Sequence, residues 1–178
     1  PTCLANLLDS VIITVNQPVT AGIANEPLVL CEGLELPIAL SNLLTGADYG
    51  GQWFETSSVP SLTGAFDANT GSFQTNNQVG GTYTFRYLLT AAPPCVNDDE
   101  TVTIIIDPLP VADAGENQAI NCDQTSVTLG GSATSPGMYQ WILNGNNVGD
   151  TKQIFVAEPG TYSLIVSTPS GCTAMDET

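Results

Sequence analysis

Five cysteines carry the most obvious chemistry in this chain: Cys3, Cys31, Cys95, Cys122 and Cys172. No two of them form a Cys-x-x-Cys pair, and the chain contains no histidine. A common zinc site draws on closely spaced Cys and His ligands, so this set points to disulfides. The simple pairing is Cys31 with Cys95 and Cys122 with Cys172, which leaves Cys3 over. Each such bridge closes a long loop and would stabilise by roughly 4 kcal/mol in the chain-entropy model. Disulfides that persist imply an oxidising, extracellular setting.

Other reactive side chains are sparse. Without histidine the commonest general base is missing, and with it a Ser-His-Asp triad. Lys152 is the only lysine, beside Thr151 and next to a predicted strand, where solvation is its expected role. A Lys–Asn isopeptide cross-link is excluded from residues 16–107, which hold no lysine. Paired carboxylates can serve glycoside hydrolysis, and Asp98, Asp99 and Glu100 cluster just before a predicted strand. Calcium takes six to eight oxygen ligands, so these three, with Asp113 or Asp107 nearby, are the candidate ligands. No Asp-x-Asp-x-Asp-Gly loop is present, and a solvated acidic turn is the simpler account. No cofactor is expected otherwise. Trp53 and Phe54 with Tyr49, and Tyr139 with Trp141, could stack sugars. The competing role for both tryptophans is core packing, and alternation along a strand puts Phe54 on the face opposite Trp53.

Composition narrows the partners. The chain has 178 residues, 18 acidic against 2 basic side chains, and a formal net charge of -16. Affinity for nucleic acid comes largely from Lys and Arg on phosphates, so nucleic acid is not an expected partner. Anionic membrane surfaces repel such a chain for the same reason. Only 11% of residues are charged and 42% are hydrophobic, which separates it from a disordered acidic tail. The longest apolar runs, such as Ile104-Ile105-Ile106, fall far below the roughly 18 residues of a membrane span. No basic, apolar leader opens the chain, and no Asn-x-Ser/Thr sequon occurs.

The elements that must position these residues repeat. Gly81-Thr82-Tyr83-Thr84-Phe85-Arg86-Tyr87 returns as Gly160-Thr161-Tyr162-Ser163-Leu164-Ile165-Val166, and each copy runs to a Pro-marked turn and a cysteine. Self-similarity of this kind marks tandem modules. Residues 16–107 read as one complete module. Strands are expected at Pro18 to Ala24, Leu34 to Leu44, Gly51 to Glu55, around Phe66 and Phe73, from Gly81 and over Thr101 to Ile106, with a turn at Asn69-Thr70-Gly71. Pro108-Leu109-Pro110 reads as a short, stiff linker. Residues 108–178 read as a second module, with strands at Ser126 to Leu129, Tyr139 to Leu143, Gln153 to Val156 and from Gly160. Asn144-Gly145 between strand-like runs is a hairpin signal. No helix is expected, the one doubtful stretch being Leu4 to Leu8. Residues 1–15 match the segments after Cys95 and Cys172. They are expected to be the last strand of a preceding module, with the partner of Cys3 upstream, and the second module is expected to lack its final strand. A donor-strand polymer, in which residues 7–16 of one subunit complete the next, is the alternative.

Short strands at regular spacing, a Trp in a middle strand (Trp53, Trp141) and a Tyr opening a late strand (Tyr83, Tyr162) are marks of immunoglobulin-like sandwiches. The second module adds Ala112-Asp113-Ala114-Gly115, Cys122, Val127-Thr128-Leu129-Gly130-Gly131, Tyr139-Gln140-Trp141 and Gly171-Cys172-Thr173-Ala174. This pattern resembles the Ig-like/PKD-like repeats of very large secreted surface adhesins of Bacteroidetes, of the gliding-associated type exported by the type IX route. The likeness is good over 107–178 and looser over 16–107. It departs from PKD domains after Trp141, where Ile142-Leu143-Asn144-Gly145 stands in place of an Asp-Phe-Gly-Asp-Gly-like run. The resemblance implies an all-β, elongated array of Ig-like modules at the cell surface and no catalytic residue. The expected function is a structural or adhesive stalk segment whose partners are neighbouring modules, cell-surface glycans or other cells. A carbohydrate- or calcium-binding accessory module is the alternative.

Overall fold

The computed structural model describes residues 10–133 and 137–178. Cys3 and the Leu4–Leu8 stretch lie outside the described residues.

The first module begins with β1 (Ile23–Ala24), β2 (Leu28–Cys31) and β3 (Pro37–Ala39). A short 3-10 turn, Leu40–Leu43, leads into β4 (Leu44–Thr45), followed by β5 (Gln52–Glu55), β6 (Phe66–Asp67), β7 (Ser72–Gln74), β8 (Gly81–Leu89) and β9 (Asp98–Asp107). One sheet has the order β2-β9-β8-β5 and another β3-β7-β6, with β1 and β4 paired at the margin. Every pairing is antiparallel except β2 with β9, which run parallel with Cys31 opposite Asp107. The second module comprises β10 (Val127–Leu129), β11 (Met138–Leu143), β12 (Asn146–Gly149), β13 (Ile154–Val156), β14 (Tyr162–Ser167) and β15 (Thr173–Glu177). Its sheets are β12-β11-β14-β15 and β10-β13.

Alternation builds both cores. Along β8, Tyr83, Phe85, Tyr87 and Leu89 point inward, while β9 contributes Val102, Ile104 and Ile106. Phe73 from the opposite sheet meets Phe85 and Tyr83 at ring-centroid distances of 4.9 and 5.3 Å. In the second module Trp141, Leu164 and Val166 form the centre, flanked by Val127, Leu129 and Ile154. The two buried clusters share no residue. Two sheets packed face to face and a central Trp in each module, with β2 parallel to the last strand β9 in the first, define an all-β, immunoglobulin-like sandwich.

Three expectations about the strands are corrected. Pro18 to Ala24 is not one edge strand, because side chains take the backbone donors a ladder needs: Asp48 accepts from Thr20 N–H, Asp98 from Ala21 N–H, and Thr20 Oγ1 from Gly22 N–H. Leu34 to Leu44 is interrupted by the Leu40–Leu43 turn, which drives Leu40 fully into the core. The second module is not without a last strand: Thr173–Glu177 forms β15, paired antiparallel with Ser163–Ser167 once the turn at Gly171 reverses the chain. It has 5 residues where β9 has 10.

Candidate functional site

The cysteines assemble differently from the expected pairing. Cys31 is bonded to Cys172, with Cα atoms 5.5 Å apart, while Cys95 and Cys122 carry free thiols. The parallel pairing of β2 with β9 explains why Cys31 does not reach Cys95. Cys31 sits opposite Asp107, the last residue of β9, and Cys95 precedes its first, Asp98. Ten strand residues span about 33 Å at roughly 3.3 Å each, far beyond the roughly 4.4–6.8 Å that a disulfide allows. In the second module the same polarity parts Cys122 from Cys172. Ile120 lies beside Tyr162 and Thr178 at one pole, and Cys172 lies in the turn before β15 at the other.

The bridge therefore joins one module to the next. Around it, Asp107 accepts a hydrogen bond from Ser170 Oγ, and its carbonyl accepts from Glu32 N–H at 2.7 Å. Ser170 Oγ also lies 3.8 Å from Cys172 Sγ. The linker packs down: a Cβ on Gly80 would lie 3.0 Å from the Pro108 ring, and Pro110 is buried. Ser170 and the Gly80–Pro108 contact were not singled out by sequence reasoning, and Asp107 was named there only as a neighbour of the candidate calcium ligands. The signal that could have found Ser170 was polarity, since the end of the last strand and a turn that precedes a last strand meet only across a joint between modules.

The remaining candidates fall into place as scaffold. Tyr83 Oη donates to Val79 O and Tyr162 Oη to Glu158 O, each at 2.9 Å and each four residues back, so both are tyrosine corners. Burial raises the pKa of both phenols, Glu55 adding to Tyr83 and Glu158 to Tyr162. Trp141 is fully buried and its indole N–H donates to Thr151 O at 2.9 Å. Trp53 is buried against Tyr87 at 4.7 Å. Neither tryptophan offers a free face, whereas Phe54, on the opposite side of β5, is exposed, and Tyr49 is 99% exposed.

The carboxylates do not converge. Asp98 accepts from Ala21 N–H at 2.8 Å, Asp99 pairs with Arg86 at 2.9 Å, and Glu100 accepts from Thr101 N–H. Asp113, in the other module, accepts from Ser132 and Gly115 N–H, and these bonds, Ser132 first, lower its pKa. Among the described residues no group of three or more His, Cys, Asp or Glu side chains is placed to hold a metal. Asp98 does have a counterpart: Asp176 accepts from Ala114 N–H, also at 2.8 Å. In both modules an acid on the last strand therefore holds a main-chain N–H in the segment ahead of the first strand. Ala21 and Ala114 each precede a glycine at positive φ, +82° at Gly22 and +86° at Gly115.

A cleft of about 230 Å³ opens in the second module between Ile120, Val127, Leu129, Val156 and Tyr162, with Thr178 at its rim. Tyr162 is bonded to Thr178 as Tyr83 is paired with Ile104. Two residues beyond Ile104 is Ile106, buried at 2%.

The strand order and the repeated corners define a pair of immunoglobulin-like modules. No family model matches the chain. Over 115 residues, 61% of this chain, it is 30% identical to the mouse Dyslexia-associated protein KIAA0319 homolog, of whose length it covers 10%. The N-terminal four Ig domains of Dscam1 isoform 7.44 superpose with a TM-score of 0.45 at 13% identity, over 92% of this chain and 44% of that one. Those of isoform 9.44 give 0.45 at 12% identity, over 93% and 46%. No helix among the described residues is long and apolar enough to cross a membrane.

Proposed function

We propose that this chain is a load-bearing segment of an extracellular surface filament or adhesin, in which consecutive Ig-like modules supply reach and rigidity and no catalysis. The observation that carries this reading is the Cys31–Cys172 bridge, which ties the strand end of one module to the turn of the next. A covalent staple beside the Asp107–Ser170 hydrogen bond and the Pro108–Pro110 linker limits bending between modules. The net charge of -16 opposes sideways sticking of long fibres. The Bacteroidetes adhesin resemblance and the similarity to a much longer mouse protein support a repeat setting. Neighbouring modules are the expected partners, with glycans or other cells bound at a distance from this segment.

Small-angle scattering of the pair, oxidised and reduced, tests the reading. An elongated particle whose maximum dimension is single-valued when oxidised and broadened on reduction supports it. A profile that does not change on reduction removes the staple from the mechanism.

A second reading, carbohydrate binding, is favoured by one observation. Tyr49 presents its whole ring at the mouth of a cleft shared with Asp48, Asn42 and Tyr87. A glycan array that shows binding abolished by Tyr49→Ala would favour this reading over a purely mechanical one.

A further inference from the structure

The observed junction has three parts. Asp107 ends a strand and receives Ser170 of the following turn, Cys172 closes that turn, and Cys31 stands opposite Asp107 on the neighbouring strand. Two of these parts recur at the outer pole of the first module. Asn16 Nδ2 donates to Pro93 O at 2.7 Å, in the turn between β8 and β9, and Asn16 O lies 3.6 Å from Cys95 Sγ. Asn16 thus meets the turn of the first module as Asp107 meets the turn of the second, and Cys95 stands where Cys172 stands.

The residues before Asn16 complete the parallel. Val11-Ile12-Ile13-Thr14-Val15-Asn16-Gln17-Pro18 reads like Val102-Thr103-Ile104-Ile105-Ile106-Asp107-Pro108, β-branched residues running to a polar residue and a proline. In β9 alternate side chains of that run are buried, but Val11, Ile12, Ile13 and Val15 are 83%, 89%, 82% and 76% exposed. Four exposed apolar side chains in a strand-forming run ask for a sheet to cover them. The third part of the junction, a counterpart to Cys31, would sit on the strand that pairs with this run opposite Asn16.

We propose that residues 11–15 are the last strand of another Ig-like module of the same polypeptide, and that Cys95 is bridged to a cysteine ending that module's first strand. Cys122 is the mirror case. It follows Ile120, which packs against the second core, and it is exposed at the pole away from Cys172. There it takes the place of Cys31 and receives a turn cysteine from a following module. Every cysteine of this repeat then works between modules, and a fibre of them is stapled at each joint. Each bridge forms from two thiols that lose two protons and two electrons to an oxidised dithiol, the usual disulfide donor of an oxidising compartment, which leaves as the dithiol. The inference rests on the tandem-module reading above and specifies its joints.

Disulfide mapping of the natural full-length polypeptide tests it, by alkylation, digestion without reduction and mass spectrometry. The expected result is a Cys95 peptide linked to a cysteine peptide from outside residues 1–178, the cysteine closing an apolar run as in Leu28-Val29-Leu30-Cys31. Cys122 should be linked to a peptide of the Gly171-Cys172 type. An alkylated Cys95, a Cys95–Cys3 link or a Cys95–Cys122 link overturns the proposal, the last because a second copy would then supply the partner. If Cys31–Cys172 is present while Cys95 is free, only this inference falls. If Cys31–Cys172 is absent, the mechanical reading falls with it.

Discussion

Replacing Cys172 with serine should destabilise the first module, although Cys172 belongs to the second. While the second module stays folded, Cys31 is held beside the start of that module. The unfolded first module is then a closed loop of about 70 residues, from Cys31 round to the Pro108 linker. Closing such a loop restricts the unfolded chain by about 4 kcal/mol in the chain-entropy treatment. The second module, when unfolded beside a folded first, would likewise be a chain closed through its neighbour. With a urea m-value of about 2 kcal/mol/M, the loss lowers the midpoint by about 2 M. The assay is urea unfolding followed by 19F NMR of the 5-fluorotryptophan-labelled chain, in which Trp53 and Trp141 give separate resonances and Trp53 reports the first module alone. Reduced chain without the substitution should behave as Cys172→Ser does. In residues 1–178 alone, Cys95→Ser should shift the same midpoint by less than about 0.5 kcal/mol equivalent, because the serine hydroxyl can keep the contact with Asn16 O. Bridges confined within modules predict the reverse: Cys95→Ser would be severe and Cys172→Ser silent for Trp53. That reversal would refute the reasoning.

Other outcomes rest on single contacts. Tyr83→Phe and Tyr162→Phe each remove a 2.9 Å hydrogen bond to a main-chain carbonyl and should cost about 1 kcal/mol in thermal or urea unfolding. Gly71→Ala should cost more, about 1–3 kcal/mol, because φ is +64° and the added Cβ would run into the Trp53 indole at Nε1. A shifted Trp53 emission should accompany it. The carboxyls of Asp113 and Asp67 are held below their ordinary value, Asp113 by Ser132 N–H and Asp67 by Asn69 N–H. Their contribution is present above the unfolded pKa, about 3.9, and is lost as pH falls through the lower folded value. Acid titration of stability should therefore steepen below about pH 4, and Asp113→Asn should flatten that limb for the second module.

What was legible in the sequence was what local chemistry decides. The Asn144-Gly145 hairpin could be read because both residues must take positive φ, observed at 50° and 80°. The two tyrosine corners reach only four residues back, and alternation alone set Phe54 opposite Trp53. The Asp98 and Asp99 carboxylates, adjacent in sequence, part in space because they lie on a strand, where neighbours face opposite sides. One holds Ala21 N–H and the other Arg86. Leu40–Leu43 was unreadable because no side chain caps its turn, and what the turn achieves, the full burial of Leu40, is a tertiary contact and not a local signal. The disulfide was missed for a different reason. Pairing cysteines by repeat assumes that each module closes on itself, and no spacing reveals that β2 runs parallel to the last strand.

That parallel pairing is also what makes the staple between modules the natural one. In this sandwich β2 ends at the same pole as the last strand, at Cys31 and Asp107, and the turn before the last strand lies at the other pole. A chain that leaves one module by its last strand enters the next at the pole bearing that module's turn. Strand-end cysteine and turn cysteine are therefore far apart within a module and adjacent across a joint, as Cys31 and Cys172 are at 5.5 Å. A bridge inside a sandwich would have locked a core that already holds Trp53, Phe73 and Phe85, or Trp141, Leu164 and Val166. A bridge across the joint acts where, among the described residues, the two buried clusters share no member, and it stands beside the Asp107–Ser170 hydrogen bond and the packed linker. The same two thiols stabilise both neighbours against unfolding and hold the angle between them, which is the combination a fibre under tension requires.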